Sequence, residues 1–401
     1  MKRKFLGFYR WEYFWLLVLV LATLAMHFTI INNPSELIFD EEHYVKDARH
    51  IIENHETERT EHPPLAKLFI VAGIEIFGDN PLGWRFFSVV FGTVTIVLFY
   101  LLCRRLEMSR TAASIATFLL ALENMTFVQA SVAMLDVYFL TFMVAAFLLY
   151  AYRRYINAGI AIGLSALAKL TGALAGPVVF MHWVFSRQGR SKWFFLTVVF
   201  AVIAFLGLMV VFDSSITQDF TDVSNPFLRI QSMEELSSSL TFSSVNHTAV
   251  SRPWDWVIKY QPMAYWYGPH YTGGISFTIW ALIIPAFGYM IYRAIKGSDA
   301  ALFGLSWFAG TYLLWIPVSL LTNRVSFIYY FYPSIGAICL GVGMGLSQLW
   351  DIFQQRTSGK LKWTVFSIVI LVLFLHLASF VILSPLVPVD FARMVGITPK
   401  G

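Results

Sequence analysis

The sequence predicts an all-α polytopic membrane protein, with about eleven transmembrane helices and an amphipathic surface helix in its first extracytoplasmic loop. Three observations carry this. Of 401 residues, 57% are hydrophobic and only 13% charged, and mean hydropathy is +0.64, a composition outside the range of soluble domains. The apolar residues gather in runs long enough to cross a bilayer. The basic loops between those runs fall on one side once a single apolar segment is kept out of the membrane. The net charge of +5 and pI near 9.1 therefore report topology, and nothing in the chain asks for nucleic acid.

In chain order the runs lie at roughly 13–31, 84–103, 111–128, 136–152, 156–171, 173–186, 193–212, 276–295, 300–321, 326–349 and 363–383. The fifth and sixth are short and contiguous, which predicts a tight Gly-rich bend near Thr171-Gly172. Leu65–Gly78 is also apolar but covers only about 20 Å as a helix. It carries Lys67 and Glu75 two turns apart on one face, so it is expected to lie on the membrane surface. With that segment left out, the N-terminus and the loops around 104–110, 153–154, 186–192, 293–299 and 354–362 share a side. They hold 17 of the 29 Lys and Arg residues against 4 of the 24 acidic ones. If Leu65–Gly78 spanned, every later loop would change sides and the bias would vanish. The N-terminus is thus expected in the cytoplasm and the C-terminus outside.

Met1-Lys2-Arg3-Lys4 precedes an apolar run too long for a signal h-region and without a small-x-small site, so it reads as an uncleaved first span. Cys103 and Cys339 both lie in apolar segments and imply no disulfide framework. Residues 1–401 read as one integral-membrane domain with two long outer loops, 32–83 and 213–275.

The first of these loops contains the most charged run, Phe39–Leu65, FDEEHYVKDARHIIENHETERTEHPPL. Most of its carboxylates read as solvated surface. Asp40 and Glu41 differ, because they follow directly on Leu37-Ile38-Phe39, where a carboxylate near the lipid surface is partly desolvated and its pKa raised. On the same face fall Arg85, Glu123, Asp136, Lys169 and Arg324. Each alone reads equally well as an interfacial anchor. Together they predict a shared polar cavity, since charges near membrane depth pair or line one.

The stretches FDEEHY, EHPPLAKL through FGDNPLGWRFF, LENMTFVQASVAMLD, AKLTG, SRPWDWVIKYQPMAYWY and NRVSFIYYFYP occur in that order between about residues 37 and 335. This series resembles the protein O-mannosyltransferase family, within the C-type (GT-C) membrane glycosyltransferases. The resemblance implies an enzyme taking a sugar, mannose in the first instance, from a polyprenyl-phosphate donor to Ser/Thr hydroxyls of proteins on the extracytoplasmic face. It implies that Asp40 is the catalytic acidic residue, and that Glu41, His62, Arg85, Asp136, Lys169 and Arg324 fall on motif positions around donor and acceptor. The chain differs from the family pattern at Ser131, where an Arg is common, at Glu123, where an Asp is usual, and at Ala66, where a Gly is usual. Its 213–275 loop is too short for the sugar-binding-like domain of the eukaryotic enzymes.

The residue types suit that chemistry independently. A hydroxyl is a poor nucleophile, so a carboxylate must take its proton as it attacks the anomeric carbon. Asp40 is the candidate base, and one displacement would invert the anomeric centre. Glu41 either orients Asp40 or the acceptor, or simply favours the start of the following helix. Charge developing on the leaving phosphate suits Arg85, Lys169 and Arg324. His62, Asp136, Trp254 and Trp256 are candidate substrate contacts. With Tyr260, Tyr265, Trp266 and Tyr267, the two tryptophans either stack on a sugar or form an interfacial belt.

No cofactor is required. His43, His62, Glu61 and Asp136 include divalent-metal ligand types, but without tight ligand spacing. His27 and His376, inside spans, are expected to be buried with local partners. Two rival functions stand beside the mannosyltransferase. A related transferase would move aminoarabinose or another lipid-linked sugar to a lipid or glycan. A transporter would show internal repeats or paired broken helices, which this sequence lacks. Oligomerisation stays open.

Overall fold

The apolar runs become helices because lipid offers no partner for backbone N–H and C=O groups, so each segment satisfies its own. The computed structural model describes residues 11–186, 190–217, 225–238, 240–245, 247–267, 270–355, 359–387 and 394. Among them, five helices are long and apolar enough to cross a membrane: Pro81–Arg105, Phe194–Ile216, Asp299–Thr322, Ile328–Gln355 and Lys360–Leu383. A sixth candidate crossing is the pair Arg110–Ala121 and Asn124–Ser131, bent by 56°. Phe14–Ile30, Leu135–Ala151, Tyr155–Ala168, Leu170–Phe185 and Ile283–Ile295 are apolar but shorter. The chain is an integral, multi-pass membrane protein. Each of the eleven expected runs is helical, while helix length by itself supports five or six crossings.

The bend has a local cause. Glu123 sits at the break with extended backbone and caps the second helix, accepting from Thr126 N (2.7 Å) and Thr126 Oγ1 (3.0 Å). Its other oxygen accepts from Ser276 N at 2.8 Å, tying the break to the start of Phe277–Ala281. The 111–128 run is therefore two helices hinged on a buried carboxylate, and Glu123 is engaged there.

Two expectations for the outer loops need correction. The protein is not purely helical: Met263–Tyr267 and His270–Gly273 form a two-stranded antiparallel sheet. Its first strand, MAYWY, is rich in the aromatic residues that favour strands, and it buries alternate residues Met263 and Tyr265. The Leu65–Phe77 helix exists, but Lys67 does not share an open polar face with Glu75. Lys67 is fully buried while Glu75 is exposed. Its ammonium reaches Asp47 Oδ2 (2.9 Å), Thr57 Oγ1 (2.7 Å) and the carbonyl of Arg59. Asp47 in turn accepts from Thr57 Oγ1 (3.0 Å), Glu58 N (2.7 Å) and Arg59 N (3.1 Å). This buried pair fastens the 57–62 loop onto the helix Glu41–Asn54.

Close helix packing sets the position of the next key element. Gly159 and Gly163, one turn apart, let Tyr155–Ala168 approach Phe194–Ile216; a Cβ at Gly159 would lie 2.4 Å from Thr197 O. Beyond Ala168 the chain turns through a 3₁₀ segment, Leu170–Leu174. Gly172 permits it, since a Cβ there would lie 2.1 Å from Ser165 O. The bend expected at Thr171-Gly172 is present, and it leaves Lys169 at the tip of the helix.

Candidate active site

The site grows from the turn Phe39-Asp40-Glu41. Glu41 is fully buried, and its carboxylate accepts from Arg85 Nε and Nη2 (both 2.8 Å), Ala133 N (2.8 Å) and Ile38 N (3.1 Å). Arg85, also fully buried, donates its remaining hydrogens to the carbonyls of Ile31 (2.9 Å), Pro34 (2.8 Å) and Glu36 (3.2 Å). All five guanidinium donors are therefore engaged within the protein. The sequence reading gave Arg85 to the donor phosphate; the geometry instead makes it the partner that holds Glu41 and the 31–38 segment in place.

That clamp supports a backbone conformation side chains rarely adopt. Phe39 has φ 51°, in the left-handed region that costs a non-glycine residue about 1–3 kcal/mol. Its ring stacks on Tyr265 at 4.1 Å with 5° between planes and meets Tyr329 edge-on at 5.9 Å. Tyr265 is itself fixed by Gln129 Nε2, which donates to its hydroxyl at 2.9 Å. Between this strained residue and the buried Glu41, Asp40 has a carboxyl that lines a cavity.

The cavity has a volume of about 270 Å³. Of the predicted residues, Asp40, His62, Lys169 and Arg324 line it together. Burial pushes the Asp40 carboxyl up to about 6; Asp136 adds to the rise, while Lys169, the Tyr44 hydroxyl and Arg59 pull the other way. Asp40 is only half-buried by surface, because one side opens into the cavity and packed residues surround the rest. His62 is held well below the usual imidazole range by burial and by the positive charge of Lys169, Lys67, Arg324 and Arg59. His62 is therefore neutral at pH 7, with the Tyr44 hydroxyl 3.4 Å from its Nε2.

Lys169 donates to both oxygens of Asp136, at 2.9 and 2.8 Å. Asp136 stands in the first turn of Leu135–Ala151 and so reaches the cavity only through this ion pair. The ammonium also lies 5.4 and 5.9 Å from the ring centres of Tyr329 and Tyr330. Arg324 follows Asn323, whose left-handed backbone (φ 49°) ends the helix Trp315–Thr322. Arg252 braces that turn, donating to Ser319 O (3.2 Å), Ser319 Oγ (3.0 Å) and Asn323 Oδ1 (2.6 Å).

Trp254 and Trp256 are not brought to the cavity. Trp256 is fully buried and donates from Nε1 to Ser251 Oγ at 2.9 Å. Trp254 lies beneath the Arg252 guanidinium at 5.9 Å, so the SRPWDW stretch supports the loop that carries Arg324. His27 and His376 have the local partners expected: Ser131 Oγ at 2.9 Å and Leu119 O at 3.0 Å. Ser131 thus occupies its position as a hydrogen-bonded core residue. Sequence reasoning passed over Arg59, Tyr329 and Tyr330, which also line the cavity, as do His43 and Glu61, named from the sequence only as metal-ligand types. Arg59 looks like any other charge in a charged run, whereas the Tyr pair sat inside a quoted motif without an assigned job. Among the described residues no three His, Cys, Asp or Glu side chains gather as a metal set.

This arrangement of helices, with a strained acidic turn facing cations across a cavity, sits on the fold of the C-type membrane glycosyltransferases. The S. cerevisiae protein O-mannosyltransferase Pmt1-Pmt2 complex bound to the sugar donor superposes with a TM-score of 0.73 at 13% identity, over 94% of this chain and 90% of that one. ArnT from Cupriavidus metallidurans bound to undecaprenyl phosphate gives a TM-score of 0.60 at 18% identity, over 94% and 72%. Residues 17–213, just under half of the chain, match the family of dolichyl-phosphate-mannose-protein mannosyltransferases. A polyprenol-phosphate-mannose–protein mannosyltransferase of Corynebacterium glutamicum is 24% identical over 93% of this chain and 89% of its own length. The protein of that name from Mycobacterium tuberculosis is 29% identical over 59% of this chain, a match that spans about half (48%) of the relative.

Proposed function

We propose that the protein moves mannose from a polyprenyl-phosphate donor to a Ser or Thr hydroxyl of a protein acceptor, with inversion at the anomeric carbon. The observation that carries this is the single cavity shared by Asp40, Lys169 and Arg324. The acceptor O–H gives its proton to the Asp40 carboxylate as its oxygen bonds to the anomeric carbon. The bond from that carbon to the phosphate oxygen breaks, and its electron pair leaves with the polyprenyl phosphate. Lys169 and Arg324 stabilise the growing negative charge, a task that asks for no metal. Glu41 acts as a positioning residue, because its carboxylate is closed off by Arg85 and two backbone N–H groups. Neutral His62 offers the acceptor or sugar a hydrogen bond without adding charge.

The positive-inside bias supports an orientation with the N-terminus cytoplasmic and the cavity outside, eleven crossings, and Leu65–Phe77 lying on the membrane surface. The test uses detergent-purified protein, polyprenyl-phosphate-mannose carrying labelled mannose, and a Ser/Thr-rich peptide. Label is expected on the peptide, and Lys169→Met and Arg324→Met are each expected to weaken donor binding while the protein still purifies. Label reaching only a lipid or glycan, or use of an aminoarabinose donor in place of the mannosyl one, would overturn the assignment of acceptor or sugar.

A further inference from the structure

Buried polar atoms without partners are rare, because each is a desolvated group with nothing to compensate it. Among the described residues ten side-chain atoms are in that condition, and three of them belong to residues lining the Asp40 cavity: Thr171 Oγ1, Trp315 Nε1 and Arg324 Nε. The two nitrogens can only donate, and the hydroxyl can do so as well. Three donors beside the Lys169 ammonium describe a ligand made of acceptors and carrying negative charge.

The local structure fixes these groups near one another. Thr171 lies in the 3₁₀ turn directly after Lys169, closed by Gly172 N donating to Lys169 O at 2.7 Å. Trp315 opens the helix whose far end delivers Arg324. Its ring packs on Tyr330 at 4.9 Å, and Tyr330 lies 5.9 Å from the Lys169 ammonium. The indole is therefore held by stacking while its N–H stays unused.

We infer that Trp315 and Thr171 are binding residues for the donor's phosphate, which takes hydrogen bonds from Trp315 Nε1 and Thr171 Oγ1 beside the charges of Lys169 and Arg324. This rests on the proposed function and adds two uncharged residues to the same site. A phosphate, all acceptors, fits donor-only nitrogens better than a sugar hydroxyl, which must itself donate.

The experiment measures binding of farnesyl phosphate and of its mannosyl ester to the purified full chain, with Tm as a check on folding. Trp315→Phe keeps the stacking ring and removes the N–H; Thr171→Val keeps the shape and removes the hydroxyl. Each is expected to weaken both ligands roughly tenfold, the usual consequence of losing one hydrogen bond to a charged group. Turnover at saturating donor should change less, and Thr171→Ser should restore affinity. If Trp315→Phe lowers Tm, the Thr171 pair decides alone. Unchanged affinity for farnesyl phosphate would overturn the inference, and so would weakening confined to the mannosyl ester. If Lys169→Met and Arg324→Met lose affinity while the Thr171 and Trp315 variants do not, this inference fails and the proposed function stands. If the unmodified protein binds neither ligand, the proposed function itself fails.

Discussion

Asp40→Asn removes the proton acceptor and leaves the size and the neighbours of the side chain nearly unchanged. A general base contributes about 10²–10⁴-fold to rate, so turnover at saturating donor should fall by that factor while donor affinity holds. The pH profile sharpens the test. With the carboxyl pushed up to about 6, the ionised fraction drops about tenfold between pH 7 and pH 5, whereas a carboxyl at its ordinary value would lose almost nothing. His62 is held well below the usual imidazole range by burial and the surrounding positive charge, and His43 is lowered in the same direction. Stability should move the other way. A carboxyl whose pKa is raised on folding favours the folded state below its unfolded pKa, and that contribution is lost as pH rises through the folded value. The Asn variant should therefore melt higher than the parent at pH 7.5, with the difference disappearing towards pH 4. The assay is peptide mannosylation at saturating donor from pH 5 to 8, beside thermal unfolding of the same preparations. Normal turnover by the Asn variant, or a flat profile between pH 5 and 7 in the parent, would remove Asp40 as the base.

Two further outcomes follow from the charges around it. Arg85→Met leaves Glu41 buried and unpaired, a change worth about 3–5 kcal/mol; a steep fall in Tm and yield is expected, and a stable variant with weakened donor binding would return Arg85 to the phosphate. Single cysteines placed at Glu107 and Arg153 should react with a membrane-impermeant thiol reagent only from the cytoplasmic side, and labelling from outside would refute the eleven-span topology.

Asp40 could be found in the sequence because its signal is local: a carboxylate directly after Leu37-Ile38-Phe39 must be partly desolvated. Lys169 was legible for a similar reason, as a cation at the end of an apolar run, although its partner Asp136 lies a whole helix away in sequence. Arg85 shows where such reading stops. Its residue type, at the mouth of a span beside other charges, is that of a phosphate ligand, and nothing in GWRFF reveals that Glu41 will meet it 2.8 Å away. Which cation is free depends on long-range pairing, set by how the helices Pro81–Arg105 and Glu41–Asn54 pack. The same pairing explains why two adjacent carboxylates have different roles. Glu41 is neutralised and saturated with donors, so it can anchor the left-handed turn at Phe39. Asp40, one residue earlier, keeps its charge at a cost from burial and faces the open space. The strain at Phe39 and the clamp at Arg85 are thus parts of one device that holds a single carboxylate, only partly compensated by Lys169, Tyr44 and Arg59, where an acceptor hydroxyl would arrive.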